Sequence, residues 1–253
     1  NEVISLVNHT ALRGNTYSLE EGYPIGFLYG YKVGGIFQNQ KEIDDWNTSH
    51  HDNLSTQQAP GDYYFQDLYG QPTPGSTAHN LTKDSVVDAN DQTYLGKTIP
   101  SYTYGFTLSA NYMSFDVSAF FYGVGDVQKY NALRAEGESM STNGRNQFTS
   151  VLNAWTPDNN STTMPRAVWN DPNNNNRFSN RFIENADYLR LQNLQIGYTV
   201  PQKWLEKTKA IHSFRLYLSG VNLFTLTKYS GVDPVNDAYP STRQFLIGVN
   251  ASF

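Results

Sequence analysis

Side chains in this sequence alternate between apolar and polar over runs long enough to span a sheet, and few folds tolerate that pattern. Between residues 102 and 112, Tyr102, Tyr104, Phe106, Leu108, Ala110 and Tyr112 alternate with Thr103, Gly105, Thr107, Ser109 and Asn111. Successive side chains of a strand point to opposite faces, so period two over this length marks a strand with one apolar face and one polar face. Phe115, Val117, Ala119 and Phe121 then alternate with Ser114, Asp116 and Ser118. Only a tight connection around Tyr112 to Ser114 fits between the two runs, which predicts a long-armed hairpin. The end of the chain repeats the design: Phe245, Ile247, Val249, Ala251 and Phe253 oppose Gln244, Gly248, Asn250 and Ser252, with Leu246 out of phase.

Two further runs alternate with a slip. In Leu189 to Thr199 the apolar parity changes between Leu191 and Leu194, which predicts a bulge near Gln192 and Asn193. In Phe214 to Phe224 it changes just past Gly220, between Leu218 and Val221. A sixth run is Ile25 to Val33, with Ile25, Phe27, Tyr29, Tyr31 and Val33 on one face. Gly22, Gly26, Gly30 and Gly34 recur there at an even spacing, so on a strand they share the face opposite the aromatics. Two readings stand for them: a twisted, poorly packed strand, or a face kept small for the approach of an internal plug.

Composition selects the surroundings of such strands. The chain is 38% hydrophobic and 16% charged, with 18 Tyr and 14 Phe. No stretch approaches the roughly 18 to 20 apolar residues of a membrane helix. Transmembrane β-strands escape that test, because lipid-facing and lumen-facing residues alternate and average to a hydrophilic sequence. Cys is absent, which removes disulfides and thiolate metal sites. A net charge of -5 leaves no basic footprint for nucleic acid. The chain starts at Asn1 with neither an initiator Met nor a signal segment, which is expected of a mature form or a fragment of a longer protein.

Connections add a topological clue. Those after the Ile25, Ser114 and Phe214 runs are long, whereas those after the Tyr102 and Leu189 runs are short. Outer-membrane barrels alternate in this way, with short periplasmic turns and long extracellular loops. The long loops run from about 38 to 101, 125 to 185 and 226 to 242, with short helices predicted over Gln40 to Trp46 and Phe148 to Trp155. Loops of this length are usually functional.

Four phrases resemble the SusC/RagA family of TonB-linked outer-membrane transporters. They are Pro24-Ile25-Gly26 leading to Tyr29-Gly30-Tyr31 and Gly35-Ile36-Phe37-Gln38; Tyr188-Leu189-Arg190-Leu191-Gln192-Asn193-Leu194 with Gly197-Tyr198-Thr199; Ser219-Gly220-Val221-Asn222-Leu223-Phe224-Thr225; and Tyr239-Pro240-Ser241 through Phe253. The resemblance implies an all-β fold, antiparallel transmembrane β-barrel strands forming the C-terminal part of a plugged barrel of about 22 strands. About six strands belong to this chain, residues 1–253 make one such portion, and the plug lies outside it. The resemblance also implies TonB and a SusD-like lipoprotein as partners, the bacterial outer membrane as location, and Phe253 as an aromatic assembly signal.

Candidate sites are fewer. No nucleophile elbow, phosphate loop or zinc spacing is present, so an enzyme is not expected. The adjacent His50 and His51 read as solvated loop residues, and Arg166 and Arg190 as members of ion pairs. Asp84, Asp88, Asn90 and Asp91 stand where the family often carries a calcium-loop-like pattern following Gly61-Asp62. Here Asp67-Leu68-Tyr69-Gly70 is separated from Asp84 by an insertion rich in Pro and Thr, and the Asp-Gly step is missing. A Ca2+ site in an outer loop and plain turn residues are both open readings. The loop aromatics Trp46, Tyr63, Tyr64, Tyr69, Trp155, Trp169 and Tyr239 are candidates for stacking on sugar rings, the alternative being that they pack the loops together. The expected function is import of a bulky nutrient, an oligosaccharide first and a peptide second. The alternative is a soluble or surface β-sandwich that binds glycans.

Overall fold

A computed structural model describes residues 1–55, 57–74, 76, 78–141, 144–206 and 210–253. In chain order its strands begin with eight short ones, β1 (Leu12–Arg13), β2 (Tyr17–Leu19), β3 (Phe27–Gly30), β4 (Val33–Ile36), β5 (His51–Asp52), β6 (Tyr63–Phe65), β7 (Val86–Val87) and β8 (Thr93–Gly96). Two long strands follow, β9 (Tyr102–Tyr112) and β10 (Phe115–Gly125). After the short β11 (Gln128–Tyr130) and β12 (Ile183–Asn185) come β13 (Tyr188–Thr199), β14 (Ser213–Thr227) and β15 (Gln244–Ser252). The chain divides into two compact units, Asn1–Ile99 with Gln128–Glu184, and Pro100–Val127 with Asn185–Phe253.

The second unit is a five-stranded antiparallel sheet in the order β15-β14-β13-β10-β9. Its register carries the sequence alternation across every strand. Ala110, Val117, Ile196, Leu218 and Ile247 are direct neighbours in one row. The adjacent row on the opposite face is Ser109, Ser118, Gln195, Ser219 and Leu246, so the out-of-phase leucine lies on the polar side. The β9–β10 hairpin turns through Met113 and Ser114, with Met113 at φ 53°.

Both expected slips occur, and they oppose each other. On β13, Leu191 pairs Phe224 and Asn193 pairs Val221, which leaves Gln192 facing Asn222 and Leu223. Asn222 sits at φ 53°, a conformation asparagine tolerates better than most residues. The slip on β14 therefore falls two residues beyond Gly220, which itself stays in register with Leu194 and Phe245. These irregularities return Leu189 and Leu191 to the face of Leu194 and Ile196, keeping one apolar surface.

One expected strand is absent from this sheet. The Ile25 to Val33 run splits into β3 and β4 within the first unit, so five strands, not six, share the long sheet. All four residues of β3 are buried, which no one-faced strand would show. The glycines share no face either. Gly22 and Gly26 take φ of 80° and 62°, a backbone that L side chains rarely adopt, while Gly30 and Gly34 leave room for the rings of Phe178 and Tyr64.

The first unit gathers the expected loops 38–101 and 125–185 around their own core. Its sheets are small: β1-β2-β3-β8, and the pairs β4-β6, β5-β7 and β11-β12. Phe27, Leu28, Tyr29, Phe37, Ile43, Tyr63, Phe65, Val87 and Phe182 are buried. Helix α1 (Gln40–Ser49) extends three residues past the expected Gln40 to Trp46. Its Asn39 cap accepts from the Glu42 amide, and Glu42 accepts from the Gln38 amide at 2.7 Å, satisfying end groups that would otherwise lack partners. The second expected helix is a short 3-10 turn, Thr149–Asn153.

Candidate functional site

The long sheet presents two chemically distinct surfaces. Its apolar side carries tyrosines at both ends, Tyr102 and Tyr104 at one, Tyr112 and Tyr198 with Phe115 at the other. Between them lie Leu108, Val117, Ile196, Leu218 and Ile247, all at least 36% exposed, so this face is not the interior of a sandwich. A wide apolar surface left open on a folded chain marks a contact with lipid or another apolar partner. Aromatic girdles flanking an aliphatic band are the pattern of a transmembrane barrel wall.

The opposite surface is polar and organised by charge. Arg215 on β14 donates to both carboxylate oxygens of Asp116 on β10, at 2.9 and 2.5 Å. The pair spans Gly197 of the intervening β13, where a Cβ would collide with the guanidinium and the carboxylate. Nearer the long-loop end, Arg190 donates through Nη2 to both oxygens of Asp233 at 3.0 Å, through Nη1 to Ser241 Oγ at 2.6 Å and through Nε to Thr225 Oγ1 at 2.8 Å. A cavity of about 230 Å³ lies beside this anchor, bordered by Asn222, Thr225, Pro234, Pro240 and Arg243.

In the first unit a buried polar network joins distant segments. Asp62 is wholly buried and accepts from Arg166 at 2.8 and 3.0 Å and from Asn175 Nδ2 at 3.0 Å. Asn175 Oδ1 accepts from the Tyr63 amide, and Asn173 Nδ2 donates to the Tyr63 carbonyl. Asn173 and Asn175 therefore tie their segment to β6.

The candidate aromatics separate into two groups. Tyr63 and Trp155 are buried, with the Tyr63 hydroxyl donating to the Thr163 carbonyl and Trp155 Nε1 to Gln38 Oε1. Trp46 stacks on His50 at 3.9 Å, and Tyr64 lies 4.7 Å from Trp46, so these two also pack the unit. Tyr69 stacks on His79. Trp169 and Tyr239 are 59% and 84% exposed.

Asp84, Asp88 and Asp91 are engaged by donors of their own turns. Asp91 accepts from the amides of Leu68, Tyr69 and Asp88; Asp88 accepts from the Asn90 amide and Gln71 Nε2; Asp84 accepts from the amides of Gln71 and Val86. Their oxygens serve backbone and amide donors, and among the described residues no three acidic or histidine side chains converge on a cation. Burial pushes the Asp91 carboxyl above its ordinary pKa despite its amide donors.

Sequence reasoning placed Arg166 and Arg190 in ion pairs but found neither Asp62 nor Asp233 as their partners. Asp233-Pro234 within a long loop was the available signal, since an Asp at a turn commonly accepts from amides two residues on.

No protein-family model matches the chain. It is 30% identical to TonB-dependent receptor P3 of Formosa agariphila over 96% of its own length and 23% of that receptor. It is 25% identical to TonB-dependent receptor SusC of Bacteroides thetaiotaomicron over 76% of its length and 19% of SusC. Among solved structures, the RagAB peptide importer in its closed-closed state matches with a TM-score of 0.71 and 27% identity, over 96% of this chain and 24% of the importer chain. Fold and surface chemistry thus define a long antiparallel sheet of the outer-membrane type, apolar on one face and polar on the other. More narrowly, the chain is a member of the SusC/RagA-like TonB-dependent receptors, spanning about a quarter of the length of the relatives it matches. Receptors of this kind are transporters, not enzymes.

Proposed function

We propose that the complete protein imports a bulky nutrient across the bacterial outer membrane with energy from TonB, under a SusD-like lipoprotein. In this reading the present chain supplies C-terminal strands of a plugged barrel, and the first unit forms its extracellular loops. The observation that carries it is the unbroken apolar face of β9, β10, β13, β14 and β15, backed by a polar face that would line an aqueous interior. Exposed Trp169 and Tyr239 favour an oligosaccharide as cargo. Similarity to the RagAB peptide importer favours a peptide as the second reading. The test is fractionation of the full-length protein: it is expected in outer membranes with heat-modifiable migration, and a soluble periplasmic location would overturn the proposal.

A further inference from the structure

The connection from β14 to β15 is not a slack outer loop. Its carboxylates turn inward: Asp233 is 5% exposed and accepts from the Val235 amide at 2.8 Å and the Ser241 amide at 3.0 Å. Asp237 accepts from the Tyr229 hydroxyl at 2.5 Å and from the amides of Val232 and Asp233. Meanwhile Val232, Val235 and Tyr239 are 58%, 54% and 84% exposed. This loop buries Asp233 and half-buries Asp237 while it displays apolar groups, and burying a carboxylate is costly without partners. Here those partners fix the loop conformation.

The direction of folding follows from Arg190. This residue pairs with Tyr122 and Thr225 across the sheet, in the rows of the polar face, and its guanidinium holds both Asp233 and Ser241. The loop is therefore drawn over the polar face of β13 and β14, away from the apolar one. Asn222, at the β14 bulge, donates to the Thr242 carbonyl and ties down the returning end of the loop.

We propose that residues 228–243 form a strap folded into the transport pathway and latched by Arg190 and Asp233, which narrows the mouth of the channel and holds Tyr239 at a fixed position within it. The proposal rests on the barrel reading, in which the polar face lines the lumen. Arg190 is a positioning residue in this scheme, and the strap supplies the surface that cargo meets.

This chain contributes no cysteine, so once any cysteine elsewhere in the full-length protein is replaced by serine, spin labels can be placed at chosen sites. With Val235→Cys and Ser109→Cys labelled in outer-membrane vesicles, a latched strap gives one narrow distance distribution by pulsed electron-electron resonance. Asp233→Asn in that background is expected to abolish the narrow peak, and Ser241→Ala, which removes only the hydroxyl acceptor, to weaken it. If Asp233→Asn fails to assemble, Ser241→Ala decides the matter. A broad distribution in the parent protein, or a peak unchanged in the folded variants, would overturn the latch while leaving the transporter reading intact. Absence of the parent from outer membranes would remove both.

Discussion

Asp62 and Asp233 show how single carboxylates organise this chain. Removing the guanidinium from Asp62 through Arg166→Ala leaves a buried charge with amide partners only, and breaking such a pair costs about 3 kcal/mol. The expected outcome is a lower onset temperature for protease cleavage within residues 128–184 of the full-length protein. Asp233 governs a pH response. Burial alone would raise its pKa, but the amides of Ser241 and Val235 together with Arg190 outweigh that and hold it below the ordinary aspartate value. A depressed carboxylate pKa stabilises the folded form above the unfolded pKa of about 3.9, and that stability is lost as pH falls through the folded value. The strap is thus expected to stay latched near neutrality and to loosen only in strong acid, as read by the label-to-label distance. Arg243 borders the same cavity as Asp233, and the Tyr229 hydroxyl donates to Asp237. The sequence announced the arginines but not their partners, because pairing across 43 or 104 residues leaves no local pattern.

Long strands were legible because period two is a local signal that burial on one side imposes on every residue. β9, β10, β13, β14 and β15 all follow it, and the two slips were visible as changes of parity. The Ile25 to Val33 run misled for a related reason: β3 is buried on both faces, and its aromatic alternation is the accident of a packed interior. Strand polarity supplies a sharp test. Leu108→Arg places charge on the apolar face and is expected to cost about 2–4 kcal/mol if that face meets the bilayer midplane. Ser109→Arg, one residue on, points to the polar face and is expected to assemble normally. Outer-membrane yield and heat-modifiable migration check both, and equal tolerance would count against a lipid-facing surface. Deleting Gln192 removes the β13 slip and puts Leu189, Leu191, Leu194 and Ile196 in one regular alternation, so the apolar face is kept and assembly is expected to persist. Inserting a second residue beside Gln192 would instead throw Leu189 and Leu191 onto the polar face and is expected to block it.

Across the whole chain, the long sheet was readable and the first unit was not. Its folding depends on side chains far apart in sequence, such as Asn173 and Asn175 holding Tyr63, so segments that looked like polar loops proved to be packed. For the same reason most candidate sugar-stacking residues turned out to pack the unit, leaving Trp169 and Tyr239 exposed. Phe253 is expected to matter to the whole protein rather than to its neighbours, and its removal should lower outer-membrane yield without destabilising protein already assembled.

The most direct measurement is the environment of single spin labels along the five strands of the full-length protein in lipid. Collisions with oxygen, which partitions into hydrocarbon, should peak at positions 106, 108, 117, 196, 218 and 247, and collisions with a water-soluble nickel reagent at 107, 109, 118, 195, 219 and 248. That pattern is the expected result. Equal exposure of both sets to the nickel reagent, or burial of the first set away from both reagents, would contradict a membrane-spanning sheet.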